Sequence, residues 1–486
     1  VKPHPIFADN MVLQQGVALN VWGQAEPGEQ VQVMLNQISG NDSSSSVGGV
    51  AADKDGKWLV KLPARKAGTG YTLAIKGKNA IEFKNVAVGE VWICSGQSNM
   101  QWEFWRQNLG DQGKKVAAMA KNPNLRLITL KRRPAAFPQD EFPVVTEPRE
   151  GTKGVDTPKV NWGKWETDSP EAVIEFSAVA YYFGRKLESE LKVPVGLIAT
   201  SWGGTVCEAW TSLEALDAEP SLKPYANAAR AAAKNFEEKK IVPGPNSPTA
   251  LYNGMIHPLL KFPVKGAIWY QGESNAPRAF EYRTLYPTMI KDWRARWNSD
   301  LTFIGVQLAP FWDGDSNGVR YAELRDAQLH ATKVLKNVGI AVIVDVGNEK
   351  DIHPPRKEPV GIRLALNALA LAYGKKIEFS GPIFKSLKIE GDKAIVSFDH
   401  AEGLASRDES LPGFTIAGED NVFVPAKAEI KGSSVVVSSD KVRKPAAVRY
   451  GWVNFAKPTL SLFNVAGLPA SPFRTDDLPL TTAPKK

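Results

Sequence analysis

Glu90-Val-Trp-Ile-Cys94 runs straight into Ser95-Gly-Gln-Ser98-Asn99. The first five residues are mostly apolar and β-favouring, and they read as a buried strand. The next are turn formers that end it. A serine just past a strand, in a glycine-tightened turn, presents its hydroxyl at a sheet edge. In an open α/β sheet ligands sit outside the carboxyl ends of the strands. The residues just past every other strand candidate therefore decide the chemistry.

Four further runs read as strands: Val195–Ala199, Lys265–Tyr270, Thr302–Val306 and Gly339–Val344. Amphipathic stretches at Val173–Leu191, Tyr282–Trp297, Tyr321–Leu335 and Val360–Tyr373 predict helices between and after them. Strands alternating with helices predict an α/β domain with a parallel sheet flanked by helices over 89–375. Within it, 131–170 is rich in Pro, Gly and charge and reads as an irregular insertion. Residues 1–88 read as short strands between turns such as Glu26-Pro-Gly-Glu29, a small β-sandwich, with Ser43–Ser46 and Gly48-Gly49 as a flexible tip. Strands return in 376–486, as in Ala394–Phe398, Val435–Ser438 and Val448–Trp452, giving a carboxy-terminal β domain free to pack with the amino-terminal one. Three parts suit 486 residues at roughly 150 per domain.

Composition narrows the class of protein. Hydrophobic residues at 43% and charged residues at 23% exclude a mainly disordered, collagenous or coiled-coil chain. No apolar run approaches the ~20 residues of a membrane helix. Cys94 and Cys207 are too few for a disulfide scaffold and read as two buried thiols. The net charge of +8 is concentrated between Lys114 and Lys164, where 11 basic residues face 5 acidic ones, a surplus of 6. Stacking aromatics do not alternate with Lys131-Arg132-Arg133, so no nucleic-acid partner is expected. The run reads as a solvated loop, with an attraction for acidic substrates as the sharper alternative. The start at Val1-Lys-Pro-His-Pro5 fits a processed amino terminus, and the expected location is secreted or periplasmic in a bacterium. The oligomeric state stays open.

The strand ends collect a coherent set of groups. Ser201-Trp202-Gly203-Gly204-Thr205 follows the second strand, Gln271-Gly-Glu273-Ser-Asn275 the third, and Asp351-Ile-His353-Pro the last. A serine hydroxyl needs an adjacent base, and His353 stands at a strand end beside a carboxylate. Acyl transfer also needs donors aimed at the developing oxyanion. The amide of Ser98, that of Gly203 or Gly204, and the Asn275 side chain are candidates.

In this order, Ser-Gly-Gln-Ser98-Asn-Met, Trp-Gly-Gly204-Thr, Trp-Tyr-Gln-Gly-Glu-Ser-Asn275 and Asp351-Ile-His353-Pro-Pro resemble the signature blocks of the SGNH hydrolases. The version is that of the sialate O-acetylesterase family. Phe7-Ala-Asp-Asn-Met-Val-Leu-Gln14 and Leu251-Tyr-Asn-Gly-Met-Ile-His-Pro258 resemble that family's flanking stretches. The likeness covers about residues 5 to 370. It implies a serine carbohydrate O-acetylesterase without metal or cofactor, acting on O-acetylated carbohydrate. Ser98 is then the nucleophile and His353 the base. Ser98, Gly204 and Asn275 form the oxyanion hole, Gly204 being preferred to Gly203. The acid departs from the wider pattern: Lys350 stands three residues before the histidine and Asp351 two before. Asp351 is the expected third member of the triad, and a Ser–His dyad is the alternative.

Gln97, Trp202, Gly203, Gln271 and Glu273 are candidate substrate contacts, though aromatic residues such as Trp202 more often fill cores. An acetylxylan- or acetylxyloglucan-type deacetylase is the alternative substrate reading. A non-catalytic carbohydrate-binding relict is the alternative in kind.

Overall fold

The computed structural model describes residues 1–39, 42–149 and 157–484. The chain divides into two compact units, Val1–Ile268 with Thr288–Leu301, and Trp269–Pro287 with Thr302–Lys486. The expected α/β class with helices and β-rich ends is what these residues form.

In the first unit the serine block ends a strand of 17 residues, Ala80–Gly96. The first part of this strand pairs antiparallel with Gly68–Lys76. Ala87–Gly89 then runs parallel to Val12–Gln14, and Glu90–Gly96 parallel to Val195–Ser201. One strand thus serves both the amino-terminal β layers and the α/β sheet. Glu90 is buried there, accepting from Gln14 Nε2 at 3.0 Å and Gln15 Nε2 at 2.6 Å. Leu125–Thr129 lies parallel on the far side of Val195–Ser201.

The charged insertion carries an antiparallel ribbon of Val145–Pro148 with Lys159–Trp162, and Glu166–Thr167 pairs antiparallel with Leu125–Thr129. Its residues 150–156 lie outside the described ones. The serine-rich stretch predicted as a flexible tip is instead a strand, Asp42–Ala51, paired with Gln30–Ser39. The ladder supplies hydrogen bonds that no local propensity announces.

Helix Ala178–Leu191 packs on the strands of the first unit, with Phe183 edge-on to Trp92 at 5.1 Å. Its N-cap is Ser177, whose Oγ accepts from Ala180 N–H at 3.1 Å and donates to the Met100 carbonyl at 2.5 Å.

In the second unit Thr302–Val306 runs parallel to Val338–Ala341, and helices Arg320–Val334 and Lys357–Leu371 pack against this pair. Beyond them Ile383–Glu390, Lys393–Asp399, Ser434–Ser438 and Lys427–Lys431 form an antiparallel sheet in that order. Phe414–Ala417 pairs with Ala447–Tyr450, which pairs with Phe473–Arg474. Val396, Val435, Ile416, Tyr450 and Phe473 share one core with Ile340 and Val344. No helix among the described residues is long and apolar enough to cross a membrane.

Candidate active site

Ser98 opens a short helix, Ser98–Gln101, at the carboxyl end of Ala80–Gly96. Gln97 is its extended N-cap and is buried, so it shapes the turn from inside. Its carbonyl accepts from the amides of Met100 and Gln101, both at 3.0 Å. Ser98 itself is half-buried.

The glycines of the second block come up beside this turn, as Trp202 N–H donates to the Gly96 carbonyl at 3.1 Å. A Cβ on Gly203 would lie 3.2 Å from Ser98 Cβ, so the position suits glycine through close approach. The Gly203 amide is already used, donating to Gln101 Oε1 at 2.9 Å. Gly204 has φ +74°, is exposed, and has open space around its α-carbon. Trp202 is half-buried, and its carbonyl accepts from Thr205 Oγ1 at 2.7 Å. Cys94 and Cys207 are both buried thiols outside any disulfide, and burial holds the Cys94 thiol well above its ordinary pKa.

Beside the same turn lies a cavity of about 300 Å3 at the carboxyl ends of Leu125–Thr129 and Val195–Ser201, lined by Gln101 and Ser201 among others. Among the described residues, Arg106, Arg132 and Arg149 line it with Glu103 and Glu175. Arg106 and Arg149 stack on Trp105, 4.4 and 4.6 Å from its ring centre. Arg106 pairs with Glu103 at 2.7 Å, and Arg132 lies 3.9 Å from the same carboxylate. Arg132 and Arg149 belong to the basic segment, so part of its charge faces a cavity at the sheet edge and is not simply solvated.

The remaining candidates lie in the second unit. Gln271 and Asn275 are both fully buried, and Gln271 Nε2 donates to Asn275 Oδ1 at 2.6 Å. Tyr282 OH donates to Gln271 Oε1 at 2.8 Å. With Oδ1 so held, the Asn275 NH2 is turned away from Gln271 as a donor. The turn depends on Gly272, whose φ is +150° and whose missing Cβ would lie 2.5 Å from Leu324 Cδ2. Glu273 is half-buried.

His353 is partly exposed. Asp351 Oδ1 accepts from the His353 backbone N–H at 2.8 Å and lies 3.6 Å from the ring Nδ1. The first is a good hydrogen bond and the second is too long for one. Asn348 Oδ1 in turn accepts from the amides of Lys350 and Asp351, at 2.9 and 3.1 Å, which sets the loop.

Lys357 escaped the sequence reading. It is 1% exposed, with its ammonium 5.9 Å from the Tyr270 ring centre. Burial pushes its pKa down to about 7, against the opposing fields of Glu273 and Asp351. A lysine opening a helix four residues after a histidine carries no signal that separates it from a solvated one. Gln101 was also missed, although its place one turn after Ser98 was a usable cue.

A family model described as carbohydrate esterase, sialic acid-specific acetylesterase, matches residues 88–365. Sialate O-acetylesterase of Homo sapiens is 28% identical over 506 residues, covering 96% of this chain and 90% of that protein. The Mus musculus protein of the same name is 28% identical over 529 residues, covering 96% and 93%. A solved carbohydrate acetylesterase from Xanthomonas citri is 36% identical with a TM-score of 0.83. The match covers 98% of this chain and all of that one.

Proposed function

Since this chain belongs to the carbohydrate esterase family of sialic acid-specific acetylesterases and is a carboxylic ester hydrolase, we propose that it removes O-acetyl groups from sugars through an acetyl-enzyme on Ser98. The observation that carries the assignment of Ser98 is the Gly203 backbone seated against it at the end of a parallel strand.

In this reading Ser98 Oγ adds to the acetyl carbonyl while His353 takes its proton. The amides of Ser98 and Gly204 and the side-chain NH2 of Asn275 donate to the oxyanion. Gly204 is favoured because the Gly203 amide is committed to Gln101. Collapse of the intermediate expels the sugar oxygen, which leaves as a hydroxyl with the proton from His353. Water, deprotonated by His353, then adds to the acetyl-enzyme, and acetate departs as the proton returns to Ser98.

Asp351 fixes the His353 backbone and adds negative charge near the ring, which favours the imidazolium formed in each step. Gln271 serves by positioning Asn275. Gln97 sets the serine turn, while Trp202 and Glu273 border the substrate. Arg106, Arg132 and Arg149 in the cavity beside Gln101 support acidic acetylated sugars as the preferred substrates.

Ser98→Ala is expected to lower turnover of p-nitrophenyl acetate by about 1,000-fold or more with the fold intact by circular dichroism. Unchanged turnover removes the assignment. Acetate release compared on acetylated sialoglycan, xylan and xyloglucan is expected to be fastest on sialoglycan. Faster release from the neutral polymers removes the acidic preference and leaves the esterase.

A further inference from the structure

The carboxy-terminal part of the second unit holds another cavity, of about 670 Å3, within the roughly 300–1,000 Å3 span of ligand pockets. Trp312, Phe423, Trp452 and Phe455 line it, with Glu349 and Lys457 among its polar groups.

Trp312 is 50% exposed, although an indole gains much from burial. Its loop is nevertheless firmly held. Trp312 N–H donates to the Glu349 carbonyl and Phe311 N–H to the Asn454 carbonyl, each at 3.2 Å. Fully buried Asn454 also donates from Nδ2 to Asp313 Oδ1 at 2.7 Å, and Arg320 pairs with Asp313. A half-exposed indole on a backbone held in place, lining one cavity with three other aromatic rings, is a prepared apolar platform.

The charges around it are matched within the protein. Arg449 lies 3.9 Å over the Phe423 ring and grips Asp476 with two hydrogen bonds, at 2.7 and 2.9 Å. Lys457 pairs with Glu349 at 2.5 Å, and both are partly exposed. The pocket therefore offers aromatic faces with a balanced donor and acceptor pair, which suits neither an anion nor an alkyl chain. A pyranose has both complements, an apolar C–H face and a rim of hydroxyls. The Glu349 carbonyl that holds Trp312 stands two residues before Asp351, so the platform is tied to the loop that bears His353.

We propose that this pocket is a subsite for the neutral pyranose chain to which the acetylated sugar is attached, with Trp312 as its stacking platform. The inference rests on the reading of the chain as a glycan esterase, and extends recognition to residues beyond position 365.

The test titrates the full-length protein with cellohexaose, xylohexaose, xyloglucan heptasaccharide and lacto-N-tetraose, none of them acetylated, by calorimetry. Saturable binding to at least one is expected, weakened about five- to tenfold in Trp312→Ala and largely kept in Trp312→Phe. With the acetylated form of the bound glycan, kcat/KM relative to that for p-nitrophenyl acetate is expected to fall by the same factor in Trp312→Ala, through KM. Absence of binding to all four, or equal affinity in Trp312→Ala, overturns the subsite. Failure of the esterase reading shows separately, as wild-type protein that turns over p-nitrophenyl acetate but frees no acetate from any glycan. The calorimetric arm decides the subsite in either case.

Discussion

A buried ammonium beside carboxylates can change charge near neutral pH, and Lys357 is such a group. Burial brings its pKa to about 7, so it is mainly charged below that pH and mainly neutral above it. While charged, it offsets Asp351 and so disfavours the imidazolium form of His353. Lys357→Met removes that offset and so favours the imidazolium. The acid limb of kcat/KM for p-nitrophenyl acetate is then expected to move to higher pH, by about half a unit to one unit. An acid limb that stays put or moves down in pH counts against this coupling. Ser98, Asn275 and His353 stand out in the sequence because each follows a run that reads as a strand and is of a residue type that acyl transfer uses. Lys357 and Trp312 do not, since burial of a lysine and exposure of a tryptophan are tertiary outcomes with no local pattern. The Gln271–Asn275 hydrogen bond was also hidden, and Gln271 read as a substrate contact though it is fully buried.

At the scale of elements, the serine turn is held from behind by a helix that it helps to start. Ser177 Oγ caps Ala178–Leu191 and donates to the Met100 carbonyl, two residues from the nucleophile. Ser177→Ala loses a cap typically worth about 1 kcal/mol and leaves a buried carbonyl short of a donor, at about 1–3 kcal/mol more. A melting point lower by several degrees is expected, with kcat falling more than KM rises as the turn loosens. An unchanged melting point would contradict the cap. Periodicity predicted one helix over 173–191, whereas the chain forms Pro170–Ile174 and then Ala178–Leu191. The apolar spacing runs through the break, while the break itself depends on Ser177 finding the Met100 carbonyl some 77 positions away in the chain.

At the scale of the whole molecule, the sequence reads as changing from a β to an α/β pattern near residue 88, whereas the first compact unit runs through that point from Val1 to Ile268. Gly89 looks like a punctuating glycine there. In the structure it lies inside a strand, where a Cβ would overlap the Pro194 carbonyl. A fragment trimmed to the family-matched residues 88–365 would begin partway along Ala80–Gly96 and lack Val12–Gln14 and the two glutamines that satisfy buried Glu90. It is expected to collect as aggregate, or as soluble material that binds the dye ANS and lacks esterase turnover. A monomeric, active fragment would show the amino-terminal layers to be dispensable. Because one strand belongs to both layers, its amides should exchange with solvent in a single cooperative opening from Ala80 to Gly96. The turn that presents Ser98 then borrows its rigidity from the first residues of the chain, so damage at the amino terminus would surface as lost catalysis.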